Sequence, residues 1–297
     1  MPEVTLHDGS VLDLEIHGTG PTLLLPVDPR PTEGPAAEEL RRWGMDPALG
    51  RNLVDGLSDL FRVVAFDYEG HLRAAPKADT LTPDAISRDL LAVADAVGAD
   101  RFAYYGYSWL ALSGLQLAIR TDRLSALVMG GFPPIDGPYA QMLAVTMATH
   151  DMAANPPAET TGWSGAGEST GPEEYDWSSA PVTLSEPQTR QYVTLYQALR
   201  GFDDQAVQSR LTCPRLCFVG SADKITYGER WGDVVVDIAG PVLRRGTELE
   251  SLGWDVRALD GLDHTRAMQP AQVLPVLRPW LIAALGVDAT PTADVRR

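Results

Sequence analysis

Three residues of this sequence have the types and order needed for nucleophilic catalysis: Ser108, Asp223 and His264. A serine hydroxyl is a weak nucleophile until a neutral imidazole accepts its proton, and a carboxylate must orient that imidazole and stabilise its charged form. Of the five histidines, His264 follows the last predicted strand, and Asp223 follows the predicted strand before it. The sequence therefore predicts that Asp223 orients His264 and that His264 activates Ser108.

Ser108 lies in a predicted strand-to-helix turn, between an aromatic, apolar segment and a helix-like one. Such a turn projects the hydroxyl away from the backbone, and the helix N-terminus favours negative charge beside it. Gly106 stands two residues before the serine, but Leu110 occupies the position where a second glycine is expected. An ordinary helix-capping serine would explain the same residues without any chemistry.

Alternatives exist for the other two residues. Asp136, shortly after a predicted strand, is a second candidate for the acid, and Asp223 has the neighbours of a simple turn residue. His264 alone would also fit a loop histidine bonded to the backbone. The coincidence of all three residues in one order favours the catalytic interpretation.

The elements around these residues alternate between strand and helix. A hairpin is predicted over residues 4–17, with a turn at 7–10, and a polar loop at 26–35 follows the first buried strand. Alternation of this kind predicts a mostly parallel, doubly wound sheet with ligands at the carboxyl ends of its strands. The predicted sheet strands are 22–25, 61–66, 101–107, 124–129, 214–219 and 254–259, and the main predicted helices are 83–97, 109–119, 139–150, 187–199, 238–252 and 270–285.

The alternation of strands and helices is interrupted between residues 131 and 204, a region that we interpret as an inserted helical lid. Its Gly-, Pro- and Ser-rich middle is acidic, but its tryptophans are unusual for a plain linker, so a mobile lid over a site is predicted. The core would then comprise residues 1–130 and 205–286, followed by a polar tail at 287–297. Six aromatic or Met side chains are candidate pocket walls, with packing inside the lid as the alternative for most: Tyr107, Tyr139, Met142, Trp163, Trp177 and Trp231.

The order Ser108, Asp223, His264 on these elements resembles that of the α/β-hydrolases, in particular members with a serine nucleophile and a lid. The run Tyr107-Ser108-Trp109 is also similar to the elbow of proline iminopeptidase-like enzymes. The resemblance implies cleavage of an ester, thioester or lactone of a small molecule by acyl transfer through Ser108, with no cofactor and no metal. A lyase, cyclase or acyl transferase using the same pocket, and a ligand-binding protein with little turnover, are the alternatives.

The expected oxyanion hole departs from the family pattern, which usually has His-Gly after this strand. Pro26 has no N–H, so the donors would be the backbone of Trp109 and of either Val27 or Asp28. An Asp28 carboxylate in the pocket would oppose an oxyanion, so its side chain must point away, or the reaction is not ordinary ester hydrolysis. Glu69 and Leu72 also depart from the family pattern, and Glu69 and the intervening His71 either line the pocket or belong to a solvated loop.

Composition limits the class of protein. The chain has 297 residues, a formal net charge of −16 and a pI near 4.6, which argues against nucleic acid or an anionic membrane as a partner. Its two cysteines, Cys213 and Cys217, lack the neighbours of a metal site and are predicted to be buried thiols. Without an evident leader or spanning segment, a cytoplasmic protein is expected, and a homodimer is compatible with the acidic surface.

Overall fold

A central sheet of seven strands organises the molecule, whose computed structural model describes residues 2–155 and 183–288. In chain order its strands are β3 (Glu15–His17), β4 (Thr22–Leu25), β5 (Arg62–Ala65), β6 (Phe102–Tyr107), β7 (Leu124–Gly130), β8 (Arg215–Gly220) and β11 (Trp254–Leu259). They lie in the order β11-β8-β7-β6-β4-β5-β3, and every pair is parallel except β3 with β5. The predicted mostly parallel sheet is confirmed.

Helices cover both faces of this sheet. They are α1 (Gly34–Arg42), α2 (Leu49–Leu57), α3 (Tyr68–Ala74), α4 (Pro83–Ala96), α5 (Trp109–Ala118), α6 (Tyr139–Ala154), α7 (Glu186–Ala198), α8 (Ala239–Arg244), α9 (Gly246–Ser251), α10 (His264–Ala267) and α11 (Pro270–Leu285). Alternate residues of the strands point to opposite faces, so Leu24 packs with α4 and α5 while Leu23 packs with α2 and α11. The sheet is therefore doubly wound, as predicted.

The predicted N-terminal hairpin is only partly confirmed. Strands β1 (Glu3–Thr5) and β2 (Val11–Asp13) pair antiparallel, but the chain then leaves the hairpin and β3 joins the edge of the main sheet against β5. Leu14, between β2 and β3, is 1% exposed. The apolar pattern is continuous through Leu14, so the sequence does not reveal the change of partner.

Several short elements are absent from the sequence prediction. Residues 68–74, predicted as a loop, form α3, and the Asp67 carboxylate caps that helix by accepting a hydrogen bond from the Gly70 N–H at 2.8 Å. A short antiparallel hairpin of β9 (Lys224–Thr226) and β10 (Val235–Asp237) follows β8. Strands of three residues carry too little pattern to be recognised in a sequence.

The region predicted as a lid contributes α6 and α7, which pack against each other. Side chains of α7 bind the backbone of the last turn of α3 and of the loop after it: Gln188 Nε2 donates to the Arg73 carbonyl at 2.7 Å, and Thr194 Oγ1 donates to the Ala78 carbonyl at 2.6 Å. Helix α7 is therefore anchored to the core, and the boundaries 131 and 204 stay a prediction. Trp163 and Trp177 lie outside the described residues.

Both cysteines are free and buried, as predicted, and burial raises the pKa of each thiol. Within residues 2–155 and 183–288, no group of three or more His, Cys, Asp or Glu side chains could hold a metal ion. The helices of those same residues include none that is long and apolar enough to cross a bilayer.

Candidate active site

Ser108 stands at the apex between β6 and α5 with φ 56° and ψ −129°, one of three non-glycine residues with positive φ in the described part of the chain. Side chains rarely adopt this strained conformation unless the surrounding structure imposes it, and such residues cluster at functional sites. The Ser108 N–H donates to the Gly130 carbonyl at 2.8 Å, which ties the apex to β7. The local structure is thus that of a nucleophile elbow.

The structure explains why Leu110 is tolerated where a glycine is expected. The close backbone approach occurs at Gly106, where a Cβ would overlap the Leu110 carbonyl oxygen. That oxygen also accepts a hydrogen bond from the Tyr104 hydroxyl at 2.8 Å. The Leu110 side chain is buried in the core, so the elbow needs its glycine before the serine and not after it.

Asp223 and His264 meet as predicted in position: Asp223 Oδ2 accepts a hydrogen bond from His264 Nδ1 at 2.7 Å. A proton on Nδ1 leaves Nε2 of the neutral ring as an acceptor. The Asp223 side chain is 0% exposed and that of His264 16%. Burial raises the pKa of the Asp223 carboxyl, and the hydrogen bond from His264 opposes this shift.

The alternative acid, Asp136, does not contact His264. Its carboxylate forms an ion pair with Arg245 Nε at 2.8 Å, and its backbone N–H donates to Asp204. Of the two acids that the sequence offers, the structure brings Asp223 to the histidine.

Tyr107 holds His264 through a hydrogen bond and a ring contact. Its hydroxyl donates to the His264 carbonyl at 2.7 Å, and the two rings lie 5.1 Å apart between centroids. Burial, followed by the neighbouring Asp223 carboxylate, raises the pKa of Tyr107 well above its ordinary value, so this donor stays protonated. Tyr107 therefore orients the histidine in addition to lining the pocket.

Ser108 and His264 line one cavity of about 350 Å³. Within the described residues no hydrogen bond joins the Ser108 hydroxyl to His264. Catalytic hydrogen bonds are often long before substrate binds and shorten in the complex, so both groups remain available to one substrate.

The two candidate oxyanion residues after β4 differ in their backbone bonding. The Val27 N–H donates to the Leu25 carbonyl at 2.9 Å, bridging Pro26, and is thus already occupied. The N–H groups of Asp28 and of Trp109, the first residue of α5, have no acceptor among the described residues. Of the predicted pair, Asp28 is the residue whose N–H is available to a ligand.

The Asp28 carboxylate is turned toward a cation. It accepts from the Arg30 backbone N–H at 3.0 Å and from Arg30 Nε at 2.9 Å. This ion pair raises the pKa of the Arg30 guanidinium, and Arg30 also lies 3.5 Å from Asp67. The negative charge that would oppose an oxyanion is therefore partly compensated.

The Trp109 indole is held in place by three neighbours. Its Nε1 donates to Glu69 Oε1 at 2.5 Å, and its ring packs against Tyr68 and edge-on against Tyr192 of α7. Glu69 thus lines the cavity, whereas His71 is bonded to Ser10 Oγ at 3.0 Å outside it. Burial and the nearby Lys77 lower the pKa of His71.

Tyr139, Met142 and Trp231, which were candidate pocket walls, do not line this cavity. They pack among α6, α7 and the loops beside them, and Trp231 Nε1 donates to Thr149 Oγ1 at 2.9 Å. The apolar wall is instead formed by four side chains from α1, α2 and the loop between them, which the sequence analysis missed: Leu40, Met45, Leu49 and Leu53. Their pattern is that of ordinary amphipathic helices, so no sequence signal distinguishes them from core residues.

Comparison with known proteins agrees with this arrangement at the level of the fold. No family model matches the chain, and no curated protein matches its sequence. Its structure is similar to an esterase of Thermogutta terrifontis, with 19% identity, a TM-score of 0.58, and 95% of this chain and 98% of that chain covered. The enol-lactonase of Burkholderia xenovorans LB400 has 18% identity and a TM-score of 0.55, covering 94% and 99%.

A third similar structure comes from metagenomes of hot environments. It is an epoxide hydrolase described as a member of the α/β-hydrolase superfamily, with 17% identity, a TM-score of 0.53, and 95% and 97% coverage. The chain has the α/β-hydrolase fold. Within that fold, Ser108, Asp223 and His264 occupy the ends of β6, β8 and β11, where α/β sheets bind ligands.

Proposed function

We propose that this α/β-hydrolase-fold protein is a serine hydrolase that cleaves an ester, thioester or lactone of a small molecule. The observation that carries the proposal is the strained Ser108 in one cavity with a histidine whose Nδ1 is bonded to a buried carboxylate at 2.7 Å. A fold alone does not define chemistry, so the proposal rests on this site.

In the proposed reaction, His264 Nε2 accepts the Ser108 proton as Oγ attacks the acyl carbon. The carbonyl π electrons move to oxygen, and the N–H groups of Asp28 and Trp109 hold the resulting oxyanion. The C–O or C–S bond then breaks, and the leaving alcohol or thiol takes the proton from His264. In a lactone, the leaving alcohol stays attached to the acyl group.

Deacylation repeats these steps with water. His264 removes a proton from water, the hydroxide attacks the acyl-Ser108 carbonyl, and the Ser108 oxygen leaves and recovers the proton. Asp223 keeps Nδ1 protonated and stabilises the imidazolium throughout. Arg30 partly compensates the Asp28 charge, which makes an oxyanion at this site compatible with the neighbouring carboxylate.

A fluorophosphonate probe tests whether Ser108 is activated. We expect one adduct per chain in the intact mass spectrum, mapped to the peptide that holds Ser108, and no adduct in Ser108→Ala. Ser251→Ala, at an exposed serine distant from the cavity, is the matched control and should label normally. Turnover of an ester panel that survives in Ser108→Ala but is abolished in Asp28→Asn would contradict acyl transfer through Ser108.

A further inference from the structure

The cavity beside Ser108 has both charged and apolar walls. Its charged side chains come from α3 and its cap (Asp67, Glu69 and Arg73), from the loop after β4 (Asp28 and Arg30) and from the loop before α2 (Asp46). Four of its apolar side chains come from one segment, α1, α2 and the loop between them. This apolar arm is lined by Leu40, Met45, Leu49 and Leu53.

We propose that the apolar arm binds an aliphatic acyl chain of the substrate, so that segment 34–57 sets acyl specificity. This inference rests on the proposed function and names its substrate class. The cavity of about 350 Å³ lies near the small end of ligand sites, which span about 300–1,000 Å³. A chain of medium length therefore fits better than a long one.

The positions of His264 and of the Asp28 N–H indicate which side of the scissile bond enters the apolar arm. The leaving group must lie at His264, because it receives its proton there. The apolar arm lies beside the Val27–Asp28 backbone, since both line the same cavity and α2 packs directly against that backbone: a Cβ at Gly50 would overlap the Asp28 carbonyl oxygen and approach Val27 Cγ1. With the leaving group at His264 and the acyl oxygen at the Asp28 N–H, the acyl chain is the substituent left to enter the apolar arm.

Two ester series at wild-type and variant proteins separate acyl from alcohol specificity. For p-nitrophenyl acetate to octanoate, kcat/KM of the wild type should rise about threefold to fourfold per methylene until the arm is full. Leu49→Trp fills the arm and should reduce the octanoate-to-acetate ratio at least about tenfold. The ethyl-to-octyl acetate series should be unchanged by the same substitution.

Matched variants keep the result interpretable. Leu243→Trp makes the same change at a residue of α8 that is 50% exposed and outside the cavity, and should leave both series unchanged. Met45→Trp fills the arm from the loop before α2 and should lower the octanoate-to-acetate ratio in the same way. It replaces Leu49→Trp in the experiment if that variant folds poorly. An acyl series that neither filled variant alters, or an alcohol series that changes instead, would overturn the assignment.

A binding measurement separates failure of this inference from failure of the proposed function. Octanamide should bind the Ser108→Ala protein in a calorimeter, acetamide should not, and Leu49→Trp should weaken octanamide binding about tenfold or more. Octanamide binding without any ester hydrolysis by the wild type would overturn the proposed function and leave the arm standing. Ester hydrolysis with no octanamide binding would overturn the arm alone.

Discussion

At the residue scale, Asp223 is a site where the proposed chemistry and stability oppose each other. Its side chain is 0% exposed, and Oδ1 has no hydrogen-bond partner among the described residues. Burial raises the pKa of this carboxyl, so folding disfavours its charged form at every pH above the ordinary value of 3.8. In the proposed mechanism this destabilising group is retained because it orients His264.

Asp223→Asn should therefore lower activity while sparing stability. Asparagine retains a similar shape but no longer favours the Nδ1-protonated tautomer or the imidazolium, so we expect kcat to fall about 10³- to 10⁴-fold. The melting temperature at pH 7 should rise, because an uncharged amide replaces a buried charge. Steady-state kinetics and a thermal melt measure both effects, and an active but destabilised variant would refute the assigned role.

The Trp109 backbone N–H, and not its indole, is the proposed oxyanion donor. Trp109→Phe keeps the backbone and an aromatic ring but loses the Nε1 bond to Glu69. This bond is exposed, so we place it at the low end of the about 1.5–3 kcal/mol for a hydrogen bond to a charged group, and kcat should fall no more than about tenfold. Comparison of kcat for an activated ester in the two proteins checks this. A loss as large as that of Ser108→Ala would show that the indole itself takes part in the chemistry.

At the element scale, the close packing of α2 against the loop that follows β4 depends on Gly50. The added methyl group of Gly50→Ala would meet the Asp28 carbonyl, which is backbone and cannot move without displacing the Asp28 N–H. We expect kcat for p-nitrophenyl butyrate to fall about 10- to 100-fold with little change in KM, because loss of a single oxyanion donor can cost about 10²–10³.

Gly56→Ala is the control for this prediction, since it changes another glycine of the same helix. Its Cβ would meet only the flexible end of the Leu274 side chain. Both substitutions raise helix propensity to a similar extent. Activity of Gly56→Ala should stay within about twofold of wild type, and equal losses in the two variants would contradict a specific role for Gly50.

The elements that the sequence predicted well are those with strong local signals. Helix α4 shows why: Thr82 caps it by accepting from the Ala85 N–H at 3.2 Å, Pro83 begins it, and its apolar residues recur at helical spacing. Helix α3 was missed because only Tyr68 and Leu72 are buried along it. A helix of two turns offers too few apolar positions for periodicity to appear.

The features of the candidate site likewise differ in whether the sequence could predict them. Ser108, Asp223 and His264 follow strands in a fixed chain order, so their convergence was predictable from topology. The occupied Val27 N–H and the apolar arm were not predictable, because they depend on a local turn and on how α2 packs against β5 and the loop after β4. The candidate pocket walls Tyr139, Met142 and Trp231 do not line the cavity, because they pack against the apolar core, which is the kind of alternative that the sequence left open for most of them.

At the scale of the whole molecule, a buried polar cluster joins the N-terminal hairpin, α3 and α4. The Asp89 carboxylate, in a residue 0% exposed, accepts from Lys77 Nζ at 2.6 Å, from the Tyr68 hydroxyl at 2.7 Å and from His7 Nδ1 at 2.6 Å. The Lys77 backbone N–H in turn donates to Gln191 of α7 at 3.1 Å. One cluster thus links four separate parts of the chain.

Lys77→Met should destabilise the whole molecule, because it leaves the Asp89 charge buried without its cation. Removing one partner of a buried ion pair typically costs about 3–5 kcal/mol. Urea denaturation measures the loss, and Lys224→Met, at an exposed lysine, is the control. A Lys77 variant as stable as the control would show that Tyr68 and His7 alone satisfy Asp89.

The central claim is that an acyl group passes through Ser108, and trapping that intermediate tests it most directly. The wild-type protein is mixed with p-nitrophenyl butyrate, quenched in acid within the first turnovers, and its peptides are analysed by mass spectrometry. The account predicts a butyryl group on the peptide that holds Ser108, and none in Ser108→Ala. Release of p-nitrophenol with an unmodified Ser108 peptide, or with the butyryl group on another residue, would contradict it.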